Sequence, residues 1–152
     1  MQLTVYTDYA LRTLLYLGLH PDRPVPAPEV AQAYAISVHH VAKVAKALVR
    51  DGFVRARRGR AGGLELAVAP DALRVGDVVR RTEPTLDLLE CFDRRASACP
   101  ITGACRLEHV LHDARAAFLE VLDRTTLADL LTNRSALARR LGRPLPASRQ
   151  AK

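Results

Sequence analysis

The chain contains three cysteines, Cys91, Cys99 and Cys105, and all of them fall within the stretch CFDRRASACPITGAC. Their spacing is C-x7-C-x5-C, without the close C-x2-C pairs that mark a structural zinc knuckle. The chain has 152 residues, long enough to fold around a hydrophobic core without disulfides. Clustered thiols in a reducing compartment point to metal binding or redox chemistry instead. Soft thiolates separated by loop suit an object larger than one ion, and an iron–sulfur cluster is such an object. Spacing alone leaves a cluster, a redox thiol pair and inert cysteines all open. Three thiolates also leave one cluster iron short of a ligand; His109 and His112 are near in sequence but lie on a helix turn already assigned to packing.

The second constellation is basic. Arg55, Arg57, Arg58 and Arg60 fall within six residues, followed by Gly62 and Gly63, whose small size lets a backbone turn tightly against a nucleic-acid strand. Upstream, Ser37, His39, His40 and Lys43 lie at the start of a helix, the part of a recognition helix that reaches base edges. His39 and His40 do not make a metal pair, because adjacent helical residues point about 100° apart. Charge is unevenly divided: residues 1–80 carry net +4, residues 81–133 net −3 and residues 134–152 net +6, within an overall +7. Excess positive charge at the two ends fits a polyanion such as double-stranded DNA.

These residues need positioning elements. Leucines at 11, 14, 15 and 19 predict a first helix from Thr7 to about Leu19, ended by the proline-rich HPDRPVPAP. A short helix PEVAQAYA follows, with proline in its first turn. Ser37 then caps a helix that runs to Gly52. Two helices joined by a tight turn read as helix-turn-helix, and FVRARRGRAGGLELAVAP reads as strand, glycine turn and strand. Together they predict a winged helix. Leu73–Arg81 forms a fourth helix stopped by Pro84, and the cysteine segment is an irregular loop. A long helix is expected from Pro100 to about Asp123, with Leu107, Leu111, Ala114, Phe118 and Val121 forming a stripe that packs on a second copy. Thr126 opens a capping box.

The segments MQLTVYTDYALRTLLYL, VAKVAKALVRDGFVRARRGRAGGLELA, RVGDVVRRTEP, and the cysteine loop joined to AFLEVLDRTTLADLL resemble NsrR-type nitric-oxide-sensitive repressors. These belong to a winged-helix family that also contains the iron–sulfur regulator IscR. The resemblance spans about residues 1–132. It implies a homodimer that represses genes of nitric oxide detoxification through a palindromic operator. It also implies one cluster per subunit, of the 4Fe–4S type with 2Fe–2S as the alternative. Members of this type draw a fourth ligand from an aspartate at the start of the first helix of the other subunit, here Asp8; without that role, Asp8 is a first-turn acid favouring the helix dipole. Two departures concern the operator sequence: His39-His40 stands where Asn-His is usual, and Ala61 where a third glycine is usual.

The expected architecture is mainly α with a small β-wing: a winged helix-turn-helix, a cysteine-bearing cluster loop and a long dimerisation helix. Residues 1–72 form the DNA-binding region, 73–133 the cluster loop and dimerisation helix, and 134–152 a basic flexible tail. Asp8 and Arg12 interrupt the first apolar stretch and no basic leader precedes it, so the chain reads as cytoplasmic, with no signal peptide or membrane partner. It reads as a non-enzyme, since GRAGG is not a dinucleotide loop and no nucleophile and base can be paired. The competing functions are an IscR-like sensor of cluster supply, using a histidine of the long helix instead of Asp8, and a cluster-free thiol redox sensor.

Overall fold

The computed structural model describes residues 2–59, 61–93 and 95–142. Helix α1 covers Val5–Leu19, α2 Ala27–Tyr34 and α3 Val38–Arg50. The hairpin β1 Val54–Arg57 and β2 Gly63–Leu66 comes next, then α4 Val75–Thr82. A 3₁₀ turn at Glu90–Phe92 precedes α5 Arg106–Arg124, α6 Leu127–Leu130 and α7 Arg134–Arg140.

Local chemistry sets most of these boundaries. Helix α1 begins two residues earlier than expected because the Thr4 hydroxyl accepts the Thr7 N–H at 3.2 Å, filling the N-cap role. In α2 proline occupies the first turn, and the helix closes on Ala35 in the left-handed region, φ +53°. The Ser37 hydroxyl accepts the His39 N–H at 3.2 Å to start α3, and Gly52 at φ +81° ends it. Thr126 and Asp129 form the anticipated capping box, with Thr126 N–H donating to the Asp129 carboxylate at 2.8 Å.

Strands β1 and β2 pair antiparallel, Val54 opposite Leu66 and Arg57 opposite Gly63. The linker before α2 joins this hairpin: Val25 exchanges two backbone hydrogen bonds with Leu64, at 2.9 and 2.8 Å. Any Cβ on Gly63 would lie 2.7–2.8 Å from the Val25 backbone, so only glycine allows this approach.

The core gathers around α1. Its Ala10, Leu14, Tyr16, Leu17 and Leu19 pack with Val30 of α2, Val41, Val44 and Leu48 of α3, Val54 and Leu64 of the hairpin, Val78 of α4, and Leu127 and Leu131. Burying a side chain of this size stabilises by about 1.5–3 kcal/mol, so one winged-helix body results. Helix α5 packs on α4, braced by the Arg80–Asp123 ion pair.

Three expectations are corrected. Helix α5 starts at Arg106, not after Pro100, because residues 100–104 form turns, Gly103 holds φ +85° and Cys105 serves as N-cap. Helix α4 starts at Val75, since Arg74 is in extended backbone. Residues 134–142, assigned to the flexible tail, instead begin with α7. The Arg134 guanidinium donates to the carbonyls of Gly18 and Leu19 at 3.0 and 3.3 Å, and Ala138 is buried. That cation satisfies carbonyls left over at the C-terminus of α1. Residues 143–152 of the predicted tail lie outside the described residues. Among the described residues no helix is long and apolar enough to cross a membrane.

A candidate nucleic-acid interface and cysteine loop

Helix α3 divides its faces cleanly. Val41, Val44, Ala45 and Leu48 are buried, while Ser37, His39, His40 and Lys43 are exposed in and just after its first turn. The His39 and His40 rings stand 6.2 Å apart at 60° and do not converge on one point. His40 instead lies 5.9 Å from the Tyr9 ring, and the Lys43 ammonium 5.9 Å from the Tyr6 ring, so α1 steadies the base of this face.

In the hairpin, Arg55, Arg57 and Arg58 are exposed and Arg60 lies outside the described residues. The pairing register sets Glu65 opposite Arg55. Arg55 donates to Glu65 at 2.8 Å, and Arg57 approaches the same carboxylate at 3.7 Å. Arg58 makes no ion pair among the described residues, which leaves it, of the three described wing arginines, the one open to a phosphate. Gly62 and Gly63 sit against backbone, Gly62 over Arg57 and Gly63 over Val25, so the fold itself requires glycine there. Arg58→Ala is expected to lower the salt slope of binding to a duplex of unrelated sequence by about 0.9, the contribution of one phosphate. Arg55→Ala is expected to change it less, because Glu65 already holds that cation. An unchanged slope for Arg58→Ala would remove the wing from the interface.

The cysteine loop is built against α5. Cys91 is buried within the 3₁₀ turn, Cys99 is half-buried in the turns that follow, and Cys105 is the half-buried N-cap of α5; all three are free thiols. The neighbouring Phe92 stacks on His112 with ring centroids 4.0 Å apart and planes at 9°. The Arg115 guanidinium lies 4.5 Å over Phe92 and donates to Asp87 at 3.0 Å. His112 therefore serves this clamp and not the outer stripe of α5, while His109 is exposed. Ser97 and Thr102 hydroxyls meet at 2.9 Å and close the loop around Cys99.

Sequence reasoning missed Glu108. It is 2 % exposed, and its carboxylate accepts the Gly103 N–H at 3.0 Å across the turn that joins Cys99 to Cys105. Glu108 is the third residue after the N-cap, the position from which a capping-box acid reaches back. Cysteine in place of Ser or Thr at the cap hid that signature. Burial first, then Glu108, then Cys99 and Cys105 push the Cys91 thiol above its ordinary range. Cys91 is thus within electrostatic reach of both other thiols. As thiolates all three would be soft sulfur donors. Among the described residues no three His, Cys, Asp or Glu side chains converge closely enough to hold a single ion.

Asp8 is not brought to this loop within the chain. It lies in the first turn of α1, where Arg12 grips both of its oxygens at 2.9 and 2.7 Å. The start of α1 is nevertheless tied to the point where the chain enters the cysteine region. Thr4 donates through its amide and hydroxyl to Glu83 at 2.8 and 3.0 Å, and the Thr7 hydroxyl donates to Thr82 at 2.9 Å.

Residues 3–133 match the Rrf2 family, described as an iron-dependent transcriptional regulator. The chain is 47 % identical over 138 residues to an HTH-type transcriptional regulator NsrR of Halalkalibacterium halodurans, covering 90 % of this chain and 94 % of that one. Among solved structures, CymR, the global cysteine regulator of B. subtilis, is similar with a TM-score of 0.70 and 28 % identity, over 86 % of this chain and 95 % of that one. IscR of T. potens is similar with a TM-score of 0.71 and 25 % identity, over 88 % of each chain.

Proposed function

The chain belongs to the Rrf2 family of transcriptional regulators, and from that premise we propose that it is a homodimeric repressor that senses nitric oxide. It acts in the cytoplasm on a palindromic operator and is a regulator, not an enzyme. Cys91, Cys99 and Cys105 would hold an iron–sulfur cluster, of the 4Fe–4S type, with Asp8 of the other subunit completing the ligand set. When bound, the cluster would supply iron reactive toward nitric oxide, and the three cysteines that hold it would pass its alteration or loss to the DNA-binding half.

The observation that carries this reading is the gathering of all three thiols in one loop clamped onto α5. The Phe92–His112–Arg115 stack fixes the Cys91 end of the loop to the middle of α5, and Cys105 caps the start of the same helix. A change in the loop therefore reaches a helix that spans the sensor half of the chain. The Thr4–Glu83 and Thr7–Thr82 bonds carry the same change to α1, against which α3 packs. Repositioning of the two recognition helices by this route needs only a small difference in free energy between two arrangements. An IscR-like 2Fe–2S regulator is the second reading, favoured by the likeness to the T. potens protein. The engagement of His112 by Phe92 speaks against His112 as that ligand.

Anaerobic purification followed by iron and sulfide analysis tests the cluster, with about four of each per chain expected for the 4Fe–4S form. Titrating nitric oxide into that protein bound to a duplex selected from a random library tests the switch. Release of the duplex as the cluster absorbance bleaches is the expected result. Retention of DNA after complete bleaching would overturn nitric oxide sensing, and about two iron per chain would favour the IscR-like reading.

A further inference from the structure

We propose that α7 carries a second phosphate-contacting surface, formed by Arg139 and Arg140 beside the helix-turn-helix, which extends the DNA footprint beyond α3 and the wing. This rests on the DNA-binding reading above, yet concerns residues that lie after the family match ends at residue 133.

Residues 134–142 hold three arginines and no acid, and their work is divided. Arg134 turns inward and caps α1 through the Gly18 and Leu19 carbonyls. Leu137 and Leu141 pack against the core at helical spacing, and Ala138 between them is buried. The same periodicity turns Arg139 and Arg140 outward, where both are exposed and make no ion pair among the described residues. Holding two adjacent cations on a rigid, packed helix costs less ordering entropy on binding than holding them on a free tail.

Their location selects the partner. The Tyr16 hydroxyl donates to Glu29 near the start of α2 at 3.0 Å, while Arg12 lies over Tyr34 at its end, so α2 runs back along α1. Helix α7 begins where Arg134 reaches Gly18 and Leu19, and its last residues lie along the length of α2. Arg140 and Leu141 line one groove of about 360 Å³ with Glu29, Gln32 and Ala33. The wing is anchored at the start of α2, because Val25 pairs with Leu64 two residues before that helix begins. The first helix of a helix-turn-helix crosses the DNA backbone. Arg140, alongside that helix, and its exposed neighbour Arg139 are consequently placed for phosphates and not for base edges. The nearest acid, Glu29, is matched by Arg23 at 2.5 Å, so it does not cancel the α7 cations.

The test compares the full chain with Arg139→Ala/Arg140→Ala and with Arg139→Lys/Arg140→Lys on a duplex of unrelated sequence. Binding is measured across a salt series, and melting curves verify the fold. The alanine pair is expected to reduce the salt slope by about two, roughly 0.9 per lost phosphate contact, and the lysine pair to preserve it. Arg58→Ala serves as the reference. A reduced slope for Arg58→Ala with no change for the α7 alanine pair overturns the α7 surface alone. No change in either variant removes the wing and α7 alike from the interface, and a parent chain that shows no salt-dependent binding to the duplex overturns the DNA-binding reading itself. Loss of binding to phosphatidylglycerol vesicles with DNA binding intact assigns the patch to an anionic membrane and also overturns the proposal.

Discussion

Replacing any one of Cys91, Cys99 or Cys105 with Ala is expected to abolish cluster retention while the winged-helix body stays folded. None of the three belongs to the core that gathers around α1, although Cys91 is itself buried. Losing one sulfur from a loop already closed by Ser97–Thr102, Phe92–His112 and Glu108–Gly103 contacts leaves those contacts in place. Two thiolates and a carboxylate hold a sulfide-bridged iron core far less well than three thiolates and a carboxylate do, because soft sulfur is the donor such iron prefers. The variants are expected to be colourless after anaerobic purification, with iron and sulfide at background and melting temperatures within a few degrees of the parent. A brown, iron-loaded Cys99→Ala protein would remove Cys99 from the ligand set, and likewise for the other two. Fully unfolded variants would instead make the cysteines structural.

The winged helix was legible because each of its boundaries is written in local chemistry. Ser37 and Gly52 bracket α3, the alternation of Val54 and Ala56 with arginines gives β1, and Thr126 with Asp129 gives the box that opens α6. The early start of α1 was missed although Thr4 is an ordinary cap, because periodicity of leucines marks the middle of a helix better than its end. Helix α7 was missed for a different reason: a run rich in arginine with prolines after it has the composition of a tail, and only Arg134 reaching the end of α1 shows what holds it. That contact spans 116 residues, a separation no local pattern reports. In the cysteine loop the thiols were visible as a cluster of residue types. Glu108 was not, since its partner Gly103 lies across a turn whose shape depends on a positive φ. The pairing of Arg55 and Arg57 with Glu65 likewise needed the strand register, and it changes which wing arginine is open to a phosphate.

Val110→Glu on α5 is expected to split the proposed homodimer and, with it, tight operator binding. Helix α5 has 19 residues, and the only one it buries within the chain is Glu108. Leu107, Val110, Ala114, Ala117 and Val121 are exposed at alternating three- and four-residue steps, the first two and the last at 56, 55 and 51 %. The stripe read from sequence ran through Leu111 and Phe118, which are half-buried within the chain, whereas Val110 and Ala117 beside them are exposed. Such a seam matches a helix that packs along its own copy. In a two-fold dimer each side chain counts twice. Burial of one valine contributes about 2 kcal/mol, so its loss from both subunits weakens the dimer by about 4 kcal/mol, roughly a thousandfold. A glutamate at the seam adds the cost of burying an unpaired charge. Because Val110 is exposed within the chain, the variant is expected to melt like the parent, and sedimentation at micromolar concentration should show a monomer. A monomer engages one half-site alone, so affinity for a palindromic duplex should fall at least a hundredfold. Asp113→Ala, another exposed position on the same helix, is the control that should leave assembly unchanged. If Val110→Glu sediments as a dimer at the parent's concentration, the copies meet through some other face, and the coupling of the cysteine loop to DNA must then run through α1 and the Thr4–Glu83 bonds without passing along α5.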